Sequence, residues 1–264
     1  MSRALMQVPP RINRLVGQAM HDYAMLADGD RILVAVSGGV DSLVLALLLH
    51  VWQKKAPIRY ELLPAHVCMD GTPENPGPSA LAITEELAKS GLGLELLEAL
   101  RPGPDSAANG SREHAAGTCF ACARNRRNSL FRAARHLGCN KVALGHHQDD
   151  VIETFLLNLT CAGNISTMGP KQRLFRGQLT LIRPLAYVEK ADIAALAAMN
   201  RLQPVASSCP LAGRTRRETM HNLALEIYRR VPGAKGQIFA ALGNVRADYL
   251  LGARPVVTDV RLAD

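Results

Sequence analysis

Two groups of residues in this 264-residue chain have the types and spacing to do chemistry. The first is Ser37-Gly38-Gly39-Val40-Asp41-Ser42, set between an apolar run and an apolar helical stretch. Paired glycines let a backbone turn tightly and bring its amides close to an anion. The helix that follows aims its N-terminal amides and partial positive charge at the same point. Ser37 and Ser42 add hydroxyl donors, so the loop is suited to the phosphates of a nucleotide such as ATP. Asp41 repels a bare phosphate, so it either holds Mg²⁺ or caps the helix. The loop lacks the Gly-Lys-Ser/Thr ending of the common nucleotide phosphate loop, which points away from γ-phosphate hydrolysis and from a motor or switch role.

The second group is thiol-based. Cys119 and Cys122 stand in Thr118-Cys119-Phe120-Ala121-Cys122, ahead of a basic helix. That spacing serves a zinc half-site, a redox dithiol, one edge of a larger metal centre, or two buried thiols. A dithiol usually closes a thioredoxin-like βαβ turn, and this segment is not at that place. Cys209, in Ser207-Ser208-Cys209-Pro210, is the candidate third ligand. Three thiolates leave a coordination position open, as a catalytic centre requires. Cys68, Cys139 and Cys161 read as small buried apolar residues. Six cysteines in a chain of this length do not form a disulfide framework.

These groups need a scaffold, and the periodicity predicts an α/β one. Helical patterns cover Arg11 to Leu26, Asp41 to Gln53, Ser79 (as the cap) to Lys89, Ala123 to Leu137, Asp149 to Leu159, Lys190 to Asn200 and Ala212 to Arg230. Strand patterns cover Arg31 to Val36, Tyr60 to Met69, Leu92 to Leu100, Lys141 to Leu144 and Leu181 to Leu185. Arg101 to Thr118 reads as a loop, and Gly163 to Leu179 shows no strong period. Strands separated by helices make βαβ units, so the expected fold is an open parallel five-stranded sheet flanked by helices. The expected division is an N-terminal helix at 1–27, a nucleotide-binding domain at 28–210 and a C-terminal helical extension at 211–264.

Lys and Arg total 31 against 23 Asp and Glu, a net charge of +8 with a pI near 9.4. This surface suits RNA, DNA or an anionic membrane. Arg124, Arg126, Arg127, Arg132 and Arg135 share one predicted helix. Lys171, Arg173, Arg176, Arg214, Arg216 and Arg217 would extend that face towards a polyanion. Five Phe and five Tyr, without an interleaved aromatic–basic motif, argue against base stacking on a sheet platform. No apolar run approaches the ~20 residues of a membrane span, and Met1 to Arg14 does not read as a signal peptide. The expectation is a cytoplasmic protein with no membrane partner.

The phosphate hexapeptide resembles the pyrophosphate loop (PP-loop) of the N-type ATP pyrophosphatases. The motif order narrows the likeness. Cys119-x-x-Cys122, Arg126-Arg127, Leu144-Gly145-His146-His147-Gln148-Asp149-Asp150, Glu153-Thr154-x-x-Leu157-Asn158, Ile182-Arg183-Pro184-Leu185 and the late Cys209 are similar to the tRNA-cytidine 2-sulfurtransferase family over roughly residues 11 to 250. The resemblance implies a 4Fe–4S cluster on Cys119, Cys122 and Cys209, with a free iron position for sulfur. It implies that ATP adenylates a pyrimidine C2 carbonyl of tRNA, with cytidine in the anticodon loop as the expected base. Pyrophosphate leaves, sulfur enters and AMP departs. Asp41 and Asp150 would serve catalysis with Mg²⁺. Gly145 and His146 would lie near the nucleotide, and Ala65 and His66 beside adenine. The partners implied are tRNA and a sulfur donor, a cysteine desulfurase or free sulfide; a homodimer is allowed. By residue type alone, His147 reads as a surface or capping histidine and Asp149 as a helix cap.

Two positions depart from the family pattern. Val40 replaces a frequent Lys, so a phosphate contact is either missing or supplied by Arg126 or Arg127. Ala212 replaces a frequent second late Cys. The competing expectations are another adenylating ligase or amidotransferase with zinc-bound cysteines, and a non-catalytic ATP- or redox-sensing module.

Overall fold

The computed structural model describes residues 6–100, 114–205 and 216–251, and for 114–121 the backbone alone. Eight α-helices and six strands follow one another in the described chain. They are α1 (Pro10–Asp22), β1 (Asp30–Ala35), α2 (Val40–Gln53), β2 (Tyr60–Cys68), α3 (Pro78–Ala88), β3 (Glu95–Glu98), α4 (His114–His136), β4 (Lys141–Ala143), α5 (Gln148–Cys161), β5 (Lys171–Leu174), β6 (Leu179–Ile182), α6 (Lys190–Met199), α7 (Arg216–Arg230) and α8 (Ala234–Ala241).

The strands form one sheet in the order β3-β2-β1-β4-β6-β5. Five are parallel and β5 runs antiparallel to β6. The sheet is therefore α/β and dominated by parallel pairs, but it has six strands rather than five. The extra strand, Lys171-Gln172-Arg173-Leu174, is an edge strand with no apolar alternation. Charged side chains on an edge discourage further pairing, and they also erase the sequence signal for a strand. The expected strand Leu181 to Leu185 begins earlier and stops at Ile182. There the Ala186 N–H donates to the Arg183 carbonyl and the Val188 N–H to the Leu185 carbonyl.

Other boundaries moved for local reasons. Helix α4 starts at His114, so the expected loop of 101–118 gives way to helix in its last residues. Ser79 does not cap α3. Gly77 is the N-cap, and the Ser79 N–H donates to Asp70 Oδ2 at 3.0 Å.

Helices cover both sheet faces. On one, the α2 residues from Leu43 to Leu49 are all buried between the sheet, α1, α3 and α6. A helix apolar on every side needs such complete cover. Ile12, Val16, Ala19 and Met20 of α1 belong to that same core, so the N-terminal helix packs directly onto the nucleotide-loop helix. On the other face, Leu130 and Ala134 of α4 pack on Leu33, Ala65, Val67 and Val142. Helices α7 and α8 close over α5 through Met220, Ala224, Ile238 and Phe239 against Ile152 and Leu156.

Asp30 opens β1 as a buried anion. It is ion-paired with Lys141, whose ammonium also donates to the Met25 carbonyl at 2.7 Å. Asn140 Nδ2 donates to the other Asp30 oxygen at 2.8 Å. These contacts join the starts of β1 and β4. Their far ends are where the chain leaves the sheet in opposite directions. In open parallel sheets, ligands bind in such a crevice beyond the carboxyl ends of the strands.

Candidate active site

The crevice holds a cavity of about 690 Å³ lined by Ser37, Asp41, Ser42, Ala65, His66, Cys122, Arg126, Arg127, Gly145, His146, Asp150 and Arg217, among others. One wall is the loop between β1 and α2. Gly38 adopts φ +88°, a conformation that favours glycine. A Cβ there would stand 2.8 Å from Ile83 Cδ1 and 3.2 Å from Val205 Cβ. The Gly38 carbonyl accepts the Val205 N–H at 3.0 Å. Ser42 Oγ accepts the Ser37 N–H at 3.1 Å and donates to the Gly39 carbonyl at 2.8 Å. The two serines thus pin the turn itself. Val40 packs its side chain against the hydrophobic core.

Gly145, just past β4, meets the first turn of α2. A Cβ there would lie 3.0 Å from the carbonyl carbon and oxygen of Asp41 and 3.1 Å from the Ser42 nitrogen. A side chain there would push the two segments apart by a few tenths of an ångström.

Three carboxylates converge beside this contact. Lys190 Nζ donates to both Asp41 oxygens, at 2.6 and 2.7 Å. Asp149 accepts the Lys190 backbone N–H at 2.8 Å and pairs with Lys235 at 2.7 Å. Asp149 is a helix cap as expected by residue type, but it caps α6 rather than its own helix. Its carboxyl is held below the usual range by Lys235 and the Lys190 amide, against the opposing effect of burial. Asp150 accepts the His147 N–H at 3.0 Å and lies 3.6 Å from Arg217. His147 bears out the capping half of its reading and not the surface half: it is the N-cap of α5, and it is buried. Its ring lies 3.3 Å from Asp150, 3.7 Å from Asp149 and 3.8 Å from Asp41.

Two histidines face the cavity in defined states. His66 is buried, and burial lowers its pKa. Its Nδ1 lies 2.8 Å from the Val36 carbonyl and donates to it, which leaves Nε2 as an acceptor. That nitrogen is buried with no hydrogen-bond partner. His146 is pushed down to about 4, first by burial and then by Arg183, Arg217 and His147, against the pull of Asp150. Arg183 Nε donates to His146 Nδ1 at 3.2 Å and a second guanidinium nitrogen donates to the Gly169 carbonyl. A neutral ring that accepts at Nδ1 carries its proton on Nε2.

Cys122 is half-buried, unpaired and in the cavity wall. Cys119 lies one turn earlier on α4, a spacing that puts two positions on one helix face. Cys209 and Arg214 lie outside the described residues, but Val205, four residues before Cys209, is bound to Gly38. Of the three expected thiolate ligands, Cys122 alone has a described side chain, and it stands in the wall of the cavity that the phosphate loop also lines. Cys68 and Cys139 are buried, and burial pushes both thiols up, whereas Cys161 is exposed at the end of α5 and not buried as expected.

The candidate basic surface divides. Arg126, Arg127 and Arg217 line the cavity. Arg124, Arg173, Arg176 and Arg216 are exposed elsewhere. Lys171 is engaged internally, donating to the Ala24 carbonyl at 2.5 Å.

Lys190, Arg183 and Lys235 were not anticipated as site residues. Lys190 is 149 positions from Asp41 and Arg183 is 37 from His146. Arg183 was visible as part of Ile182-Arg183-Pro184-Leu185, but nothing local tied it to a histidine.

Known proteins resemble this chain over most of its length. A family model described as a PP-loop domain matches residues 100–220. The tRNA-cytidine(32) 2-sulfurtransferase of Syntrophotalea carbinolica is 38% identical over 254 residues, covering 92% of each chain. That of Geobacter sulfurreducens is 38% identical over 252 residues, covering 91% of this chain and 92% of its own. Among solved structures, the U34-tRNA thiolase NcsA from Methanococcus maripaludis with its 4Fe–4S cluster superposes with a TM-score of 0.68 at 21% identity. That match covers 92% of this chain and 79% of the thiolase, and it establishes a shared fold. The chain belongs to the tRNA-cytidine(32) 2-sulfurtransferase family.

Proposed function

We propose that this protein is an ATP-dependent tRNA sulfurtransferase that replaces the C2 oxygen of a cytidine with sulfur. The observation that carries the reading is the meeting, in one cavity, of the phosphate loop, Asp150, the neutral His146 and Cys122. Residues 28–210 would carry the chemistry and 211–264 the helical extension that closes over α5.

A base carbonyl is a poor electrophile because oxide leaves badly. Loop 37–42 and the α2 N-terminus would hold the β- and γ-phosphates through backbone amides, leaving the α-phosphorus open to the C2 oxygen. The oxygen–phosphorus bond forms and pyrophosphate departs. Sulfur then attacks C2, and the C2–O bond breaks with AMP carrying the oxygen away. Asp150 would hold Mg²⁺ with Asp41 once the ion competes with Lys190. The His146 Nε2–H would donate to negative charge as it develops on phosphate. His66 Nε2 would accept from the adenine amino group, which matches its orphaned lone pair. Cys119, Cys122 and Cys209 would hold a 4Fe–4S cluster, and a three-cysteine cluster supplies an open, Lewis-acidic iron for a sulfur ligand. The arginines at the rim would meet tRNA phosphates. Among the described residues no helix is long and apolar enough to cross a membrane. The setting would be the cytoplasm, with sulfide or a cysteine desulfurase as donor and two copies of the chain allowed.

Mass spectrometry of tRNA nucleosides tests the reading. A strain lacking this protein should lose 2-thiocytidine and regain it with the wild-type gene but not with Cys122→Ala. Unchanged 2-thiocytidine in the deletion strain would sink the assignment.

A further inference from the structure

The turn between β5 and β6 is built from unsuitable residues. Phe175, Arg176 and Gly177 take φ of +51°, +58° and +91° in succession. Asn-Gly or Gly-Gly adopt such a turn readily, whereas a phenylalanine and an arginine adopt it under strain. Burial does not compensate, because Phe175 is 57% exposed. Its ring rests edge-on against Phe131 of α4, with centroids 5.7 Å apart at 81°. Backbone strain of this kind persists where the side chains serve a function.

The surroundings indicate what that function meets. Residues 114–148, which include α4 and β4, contain no Asp or Glu, and neither do residues 154–188, which include β5, the turn and β6. Exposed Arg132 and Arg135 on α4 and Arg173 and Arg176 on the hairpin lie in these two acid-free segments. No described carboxylate is within ion-pair distance of these four. The surface is continuous with the cavity. Arg127 in the cavity wall is one helical turn, a rise of about 6 Å, before Phe131.

We propose that the β5–β6 turn is a second tRNA contact, outside the cavity, at which Phe175 stacks on an unpaired base and Arg176 pairs with its phosphate. An exposed aromatic beside unpaired arginines is the chemistry of single-stranded RNA recognition. The aromatic here sits on a turn, which differs from the sheet platform that the composition argues against. This inference rests on the tRNA reading above.

The test uses the full-length protein and its unmodified tRNA in a binding titration, alongside ATP binding and thermal melting. Phe175→Ala should weaken tRNA binding about tenfold, and Phe175→Trp should preserve it. Arg176→Gly relieves the strain, so its melting temperature should stay level or rise while tRNA affinity falls. ATP affinity should hold in all three. Wild-type-like tRNA binding by both Phe175→Ala and Arg176→Gly would overturn this inference and leave the thiolase reading standing. Failure of the wild type to bind tRNA would remove both. An effect of Phe175→Ala on self-association alone would assign the turn to a second copy of the chain and overturn the proposal.

Discussion

The two sides of the cavity handle charge in opposite ways. On the side of α2, α5 and α6, the three carboxylates at the site are each paired with a cation: Asp41 with Lys190, Asp149 with Lys235, Asp150 with Arg217. On the side of α4 and the β5–β6 hairpin, arginines stand without a described acid. Internal neutralisation holds groups in place for chemistry. Uncompensated charge creates a field that draws in and retains a polyanion. The ion-paired site and the unpaired basic surface lie a few helical turns apart.

The largest expected effect is at Asp150. Asp150→Ala should reduce tRNA-dependent pyrophosphate release about a hundredfold or more if the carboxylate serves the metal. A loss of about 1 kcal/mol in urea stability at an unchanged rate would make it only a cap for α5. Next is Lys190→Met. Without Mg²⁺, Asp41 would then face the nucleotide phosphates with no cation, and ATP affinity measured in the absence of Mg²⁺ should fall about tenfold by calorimetry. An unchanged affinity would reduce Lys190 to a brace between α2 and α6.

Smaller effects compare the two sides directly. Arg132→Gln should lower the slope of log tRNA affinity against log salt by about one, with no change in melting. Lys235→Met should do the reverse, lowering stability and leaving the salt slope alone. The smallest is a pH effect at His146, which faces Arg183, Arg217, His147 and Asp150. Its folded pKa of about 4 lies below the ordinary 6.5. Between those values the unfolded chain binds a proton that the folded protein does not, so stability falls as pH drops from 6.5 towards 4. Above that window the contribution is complete. Urea midpoints across this range should vary less in His146→Asn than in the wild type.

Sequence-legible features were those with local causes. The β1 run, the glycine pair and the unbroken apolar face of α2 declare themselves within a few residues. Strand β5 does not, because an edge strand of Lys, Gln and Arg has no alternation to read. Burial of His147 also escaped, since Asp41 on the distant helix α2 comes beside it only in the folded chain. Val40 illustrates a third kind of limit. The family resemblance implies a frequent lysine where Val40 stands, but only the fold shows Lys190 reaching Asp41 from another helix.

Lys235 has a consequence for the order in which the molecule is made. It lies on α8 and bonds to both Asp149 and Glu189, while α7 and α8 close over α5. A ribosome delivers those helices after every strand of the sheet. A nascent or truncated chain can assemble the phosphate loop yet still lack the last cation of its acidic wall. The acidic wall is therefore complete only once synthesis has passed α8.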